Sequence, residues 1–173
     1  MTPSTPSSPP TSGGPDEETA STGKAGDVRL VFARSWAEFP EQTPPDSVTS
    51  FLHHALGQFG DDPAHIARGI ADALSADPPG RGFVLLALDG DRLVGALVML
   101  RTGMKGYVPE NLLLYVAVDP DQRGRGVGSR LCREAAAACE GEVKLHVEYD
   151  NPAKRLYERL GFVNKYAEMR LRP

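Results

Sequence analysis

A chain of 173 residues, 40% of them apolar, suits one domain with a genuine hydrophobic core. Its net charge of −4 gives no general case for nucleic-acid binding, and no run approaches the ~20 apolar residues that span a membrane. The first 26 residues stand apart, because 19 of them are Ser, Thr, Pro or Gly. A segment of that composition buries too little apolar surface to offset its ordering entropy. Residues 1–26 are therefore expected to be a disordered tail, and residues 27–173 the folded domain. The tail has no apolar h-region and almost no positive charge, so it resembles neither a signal peptide nor a transit peptide.

In chain order, residues 27–33 alternate Val28, Leu30 and Phe32 with polar neighbours, the pattern of a half-buried strand. After Pro44-Pro45, Asp46 or Ser47 is placed to cap a helix reaching Leu56. Gly57 and Gly60 end it, and Asp61-Asp62-Pro63 opens a second helix through Leu74. Pro78-Pro79-Gly80 is a breaker. Residues 83–88 and 93–100, joined by Asp89-Gly90-Asp91, read as a β-hairpin. Its strands are almost continuously apolar, as expected where helices cover both faces of a sheet. A loop over residues 103–111 precedes a buried strand over 112–118, a glycine turn, and an alanine-rich helix over 129–139. A strand over 143–147, a short helix over 152–160 and room for a final hairpin over 162–171 complete the chain. This order predicts an α/β sandwich with a mixed sheet.

Cys132 and Cys139 lie seven residues apart in one predicted helix, so their Cα atoms would be ~10 Å apart, too far for a disulfide. They form no zinc pattern, and buried thiols in a reducing, cytoplasmic setting are the expectation. His53 and His54 are adjacent in a helix and cannot share one face, so no metal site is expected.

The most informative stretch is Tyr115-Val-Ala-Val-Asp-Pro-Asp-Gln-Arg-Gly-Arg-Gly-Val-Gly-Ser-Arg-Leu131. Asp119-Pro120 stops the strand, since proline has no N–H for a sheet ladder. A strand, a glycine turn and a helix N-terminus make an anion site, because the first helical N–H groups lack partners and the macrodipole is positive there. Glycines remove the Cβ atoms that would hold a phosphate away. Arg123 and Arg125 add donors suited to phosphate oxygens. The stretch reads as a diphosphate cradle. It has neither the Gly-x-x-x-x-Gly-Lys-Ser/Thr of a P-loop nor the Gly-x-Gly-x-x-Gly of a dinucleotide fold.

The spacing Arg123-x-x-Gly126-x-Gly128 after Val-Asp-Pro resembles the coenzyme A loop of the GNAT superfamily of N-acetyltransferases. A second segment, Asn151-Pro-Ala-Lys-Arg-Leu-Tyr157-Glu-Arg-Leu-Gly-Phe162, resembles the family's other motif through Leu156, Tyr157, Gly161 and Phe162. The element order matches the family along residues 27–173. The resemblance implies an α/β fold with a mixed, mostly antiparallel central sheet flanked by helices and a splayed central strand pair. It implies acetyl-CoA as co-substrate, no metal, and an amine-bearing small molecule or peptide as acceptor, and it leaves a homodimer open.

Carried over residue by residue, the resemblance assigns cofactor binding to the backbone of Val116, Ala117 and Val118. The loop residues Arg123, Gly124, Arg125, Gly126, Val127, Gly128 and Ser129 would hold the diphosphate, with Asn151 and Tyr157 also on the cofactor. Tyr157 is the implied acid for the leaving thiolate, since a phenol with a pKa near 10 is protonated at neutral pH. The spacing from Asn151 to Tyr157 is one residue shorter than usual in the family. Either Asp150 takes the asparagine place or the turn is shorter, and the spacing from Val147 to Asn151 favours the shorter turn. In that register His146 falls where some peptide-acetylating members carry a glutamate base. Glu110 and Glu148 are the alternatives, because positions 112 and 114 are both Leu.

The resemblance also implies that the first two helices wall the acceptor site. Residues 38–77 hold seven acids and only Arg68, which would favour a cationic amine. A non-catalytic acyl-CoA-binding module is the alternative reading.

Overall fold

The computed structural model describes residues 28–77 and 82–173. The expected tail and the Pro78-Pro79-Gly80 breaker fall outside them. The alternating first strand forms β1 (Arg29–Ala33), and the two apolar runs about Asp89-Gly90-Asp91 form β2 (Phe83–Asp89) and β3 (Arg92–Arg101). The central run forms β4 (Asn111–Val118), and β5 (Val143–Leu145) follows the alanine-rich helix. Spatial order equals chain order: β1, β2, β3 and β4 pair antiparallel in turn, and β5 pairs parallel to β4. The sheet is thus mixed and mostly antiparallel, as expected.

Helices cover both faces, which is why β2 and β3 are apolar throughout and not alternating. On one face α1 (Pro45–Leu56) and α2 (Pro63–Leu74) pack Val48, Leu52, Ile66 and Ile70 onto Val84, Leu86, Ala96 and Val98. On the other, α3 (Val127–Ala137) and α4 (Lys154–Arg159) pack Leu131, Cys132, Ala135 and Tyr157 onto Leu85, Ala87, Leu97 and Met99. β1 obeys its alternation: Val28, Leu30 and Phe32 join the α3 side, and Val31 and Ala33 the α1 side.

Local signals set most boundaries. The side chain of Asp62 accepts from the Ala64 N–H at 2.8 Å, with Pro63 in the first turn, where a missing N–H is harmless. α1 departs from expectation: it starts at Pro45, and no side chain caps it. Two prolines with fixed φ bring the chain into the helix instead.

The final hairpin is a correction. Residues 163–173 form no strand, and Val163, Tyr166, Met169 and Leu171 are exposed. An added strand needs a neighbouring edge to pair with, and β5 offers only three residues.

Candidate active site

The pairing of β4 is unequal along its length. Asn111, Leu112 and Leu113 pair with Val143, Lys144 and Leu145, and there β5 ends. From Tyr115 to Val118 the strand keeps its β3 neighbour but has no partner on the β5 side. A β-bulge marks the changeover. Val98 faces Tyr115 while Met99 faces Leu113, so Leu114 is one residue more than β3 can match. The side chains record it: Leu113, Val116 and Val118 join the α3 side, whereas Leu114 and Tyr115, consecutive in sequence, both join the α1 side. This is the splayed strand pair, with unpaired backbone groups facing the gap.

The free half of β4 runs into the glycine loop. The Asp119 side chain accepts from the Asp121 N–H, closing a short 3-10 turn at Pro120–Gln122. Gly124 and Gly126 then take φ of 77° and 84°, a region open to glycine and strained for other residues. α3 starts at Val127, two residues before the expected start, and no side chain caps it. Its first N–H groups and the positive end of its dipole are therefore available to an anion. The geometry fits a diphosphate. Arg125 is exposed, and among the described residues its guanidinium makes one hydrogen bond, Nη1 donating to Gln122 Oε1 at 3.1 Å.

Arg123 behaves differently from expectation. Its guanidinium donates to the Ala55 carbonyl at 2.7 Å and to the Val118 carbonyl at 3.2 Å. It ties the loop to the end of α1 and to the last residue of β4. Two of its donors thereby serve the protein and not a ligand.

On the far side of the gap, Asn151 Oδ1 accepts from the Ala153 N–H at 2.9 Å, and this turn leads into α4. Its side-chain NH2 has no partner among the described residues. Tyr157 is buried in the cluster that includes Val116 and Val118, with its ring edge-on to Phe162 at 5.9 Å. Burial, and secondarily the neighbouring Cys132, push its phenol above the ordinary tyrosine range. Its hydroxyl has no hydrogen-bond partner among the described residues. Cys132 is a buried free thiol pushed up to about 11, and Cys139 is half-buried.

The three base candidates separate. His146 lies one residue beyond the end of β5 and is exposed. Glu148 is exposed and offers its backbone carbonyl to the Asn151 N–H. Glu110 sits at the start of β4, where its Oε2 accepts from the Glu142 N–H at 3.0 Å. That bond holds its carboxyl below the usual range, which makes it a weaker proton acceptor. A hollow of about 40 Å³ beside Arg34, Arg101 and Cys139 also lies at that end of β4, away from the gap.

Sequence reading missed Tyr115. Its hydroxyl donates to Asp61 Oδ2 at 2.7 Å, joining the bulged strand to the α1–α2 linker. Burial and then this carboxylate push the phenol above the usual range. Gly69 on α2 permits the approach, since a Cβ there would sit 2.6 Å from Leu114 Cδ2 and 3.1 Å from Tyr115 Cε2. The only signal in the sequence is one aromatic in an aliphatic run.

Residues 80–164 match the acetyltransferase (GNAT) domain family. Over 85 residues the chain is 31% identical to N-alpha-acetyltransferase 30 of Schizosaccharomyces pombe, covering 46% of this chain and 57% of that protein. The chain thus spans little more than half the length of that curated relative. Among solved structures, a GNAT family acetyltransferase from Streptococcus pneumoniae TIGR4 superposes with a TM-score of 0.59 at 19% identity, covering 84% of this chain and 98% of that one. Aminoglycoside N-acetyltransferase AAC(6')-Iy, solved in complex with CoA, superposes with a TM-score of 0.60 at 18% identity, covering 84% and 94%. At such identities the superpositions speak for the fold. Fold and matched segment agree: residues 80–164, just under half of the chain, match the acetyltransferase (GNAT) domain family, and the described residues have the fold of these solved acetyltransferases.

Proposed function

We propose that the chain is an N-acetyltransferase that moves the acetyl group of acetyl-CoA to a primary amine of a small molecule or peptide, by direct attack in a ternary complex. The observation that carries this reading is the unpaired half of β4, which leads through the glycine loop to an uncapped helix N-terminus. The backbone N–H groups of residues 124–129, with Arg125, hold the diphosphate. The free edge at Val116, Ala117 and Val118, with the Asn151 side chain, holds the pantetheine arm.

A neutral amine nitrogen attacks the thioester carbonyl carbon, so a C–N bond forms as the C–S bond breaks. The departing thiolate takes its proton from Tyr157. Burial keeps that phenol protonated, and its hydroxyl has no hydrogen-bond partner among the described residues. The proton lost by the amine passes to His146, directly or through water. The acetyltransferase named above acts, by its name, on α-amines, which supports including peptide N-termini among the acceptors.

The test is thiol release from acetyl-CoA across polyamines, amino acids, aminoglycosides and short peptides with free N-termini, with CoA affinity measured alongside. Amine-dependent thiol release is expected with one class. CoA binding without thiol release on any amine would favour a non-catalytic acyl-CoA-binding module.

A further inference from the structure

Exposed apolar side chains gather in one short stretch. Val163, Tyr166, Met169 and Leu171 all lie outward, and Met169 and Leu171 are 93% and 92% exposed. The stretch is also patterned. Val163, Ala167, Met169 and Leu171 occupy odd positions, and Asn164, Glu168, Arg170 and Arg172 even ones, with Lys165 and Tyr166 the exceptions. As a strand it would be apolar on one face and polar on the other. Glu168 and Arg170 already bond to each other, as residues two apart on one strand face do. In its own chain, however, the segment forms no strand.

The sheet has a free edge to match. β5 stands last in the strand order, and among the described residues no strand lies against its outer edge. Val143, Leu145 and Val147 all pack on the α3 side, so the alternation runs on past β5 and a neighbouring strand would lengthen it. Charge then selects how the two join. In an antiparallel pair, directly opposed side chains share a face. Setting Lys144 opposite Glu168 brings Glu142 opposite Arg170 and Glu140 opposite Arg172, three pairs of opposite sign on the polar face. The same register sets Val143 opposite Met169 and Leu145 opposite Ala167 on the apolar face. Sliding by two residues puts Glu142 opposite Glu168 in one direction and Lys144 opposite Arg170 in the other. Sliding by one turns the apolar residues to the wrong face.

We infer that residues 163–172 dock as an added antiparallel strand on the outer edge of β5 of a second copy of this chain, with Lys144 opposite Glu168. The exchange is reciprocal. Each copy carries one unpaired segment and one unpaired edge, so a twofold dimer satisfies both at once. The backbone groups of the edge gain partners, and the exposed apolar face is covered. The inference does not depend on the acetyltransfer reading.

The experiment is sedimentation of the full chain across a concentration series, combined with crosslinking. Dimers are expected at micromolar concentration. Arg170→Glu should weaken dimerisation about tenfold or more, because each dimer carries the Glu142 pair twice, and adding Glu142→Arg should restore it. Both positions are exposed, so neither substitution should unfold the single chain. Mixing a Lys144→Cys chain with a Glu168→Cys chain under oxidising conditions should give a disulfide between the two, since opposed Cα atoms lie within disulfide reach. Mass mapping tells it apart from bonds through Cys132 or Cys139. A chain that sediments as a monomer, a dimer unmoved by Arg170→Glu, or the absence of the mixed disulfide would overturn the inference.

Discussion

The two halves of β4 have the same aliphatic character and opposite fates. Asn111 to Leu113 are bonded to strands on both edges, and Asn111 is further fixed by its side chain donating to the Glu140 and Glu142 carbonyls. Tyr115 to Val118 are bonded on one edge only. A single extra residue at Leu114 separates a structural half from one whose backbone is free for a ligand. What differs is not the chemistry of the side chains but the number of neighbours. The open edge of β4 exists because β5 stops after three residues.

If the open half is a transfer site, the largest effect should come from the acid beside it. Tyr157→Phe is expected to lower kcat by roughly 10²- to 10⁴-fold, the range for loss of a positioned general acid. CoA affinity should change little, since the ring and its packing remain; equal loss of both would contradict the acid role. The pH profile sharpens the point. The raised phenol stays protonated through neutral pH and past the ordinary tyrosine range near 10, so no alkaline fall in kcat below about pH 10 should depend on Tyr157.

Next in size is the loop. Gly126→Glu places a side chain where φ is 84° and a negative charge at the start of α3. Losing two charge-assisted contacts at about 1.5 kcal/mol each should weaken CoA binding at least about 100-fold. Unchanged affinity in a folded variant would remove the loop from the site.

The arginines should give smaller and divergent effects. Arg125→Ala is expected to weaken CoA binding by about tenfold with an unchanged melting temperature, as for loss of one charged hydrogen bond. Arg123→Ala should lower the melting temperature, because the Ala55 and Val118 carbonyls lose their donor, at a cost of about 1–3 kcal/mol. Thermal unfolding and CoA titration of both variants would separate an arginine that binds from one that braces.

That divergence shows where sequence reading stops. The glycine loop was legible because its physics is local: a strand end, glycines and a helix start within one short run. The covering of both sheet faces was legible from the continuous apolar strands. Arg123 was not, because its partner Ala55 is 68 residues away and backbone carbonyls leave no mark in a sequence. Tyr115 and Asp61, 54 residues apart, were hidden for the same reason. The bulge was invisible in a run of aliphatic residues, where a slip of one position breaks no pattern. Residues 162–171 looked like a hairpin because strand propensity is local, whereas the edge needed to receive it is not.

The most direct measurement is amide hydrogen exchange along β4 with and without saturating CoA. Protection is expected to rise in residues 115–118 and in the first turn of α3, and to stay unchanged in residues 111–113, which are already paired on both edges. Protection that appears at the paired half, or nowhere on β4 while CoA is bound, would contradict the assignment of the open edge as the cofactor site.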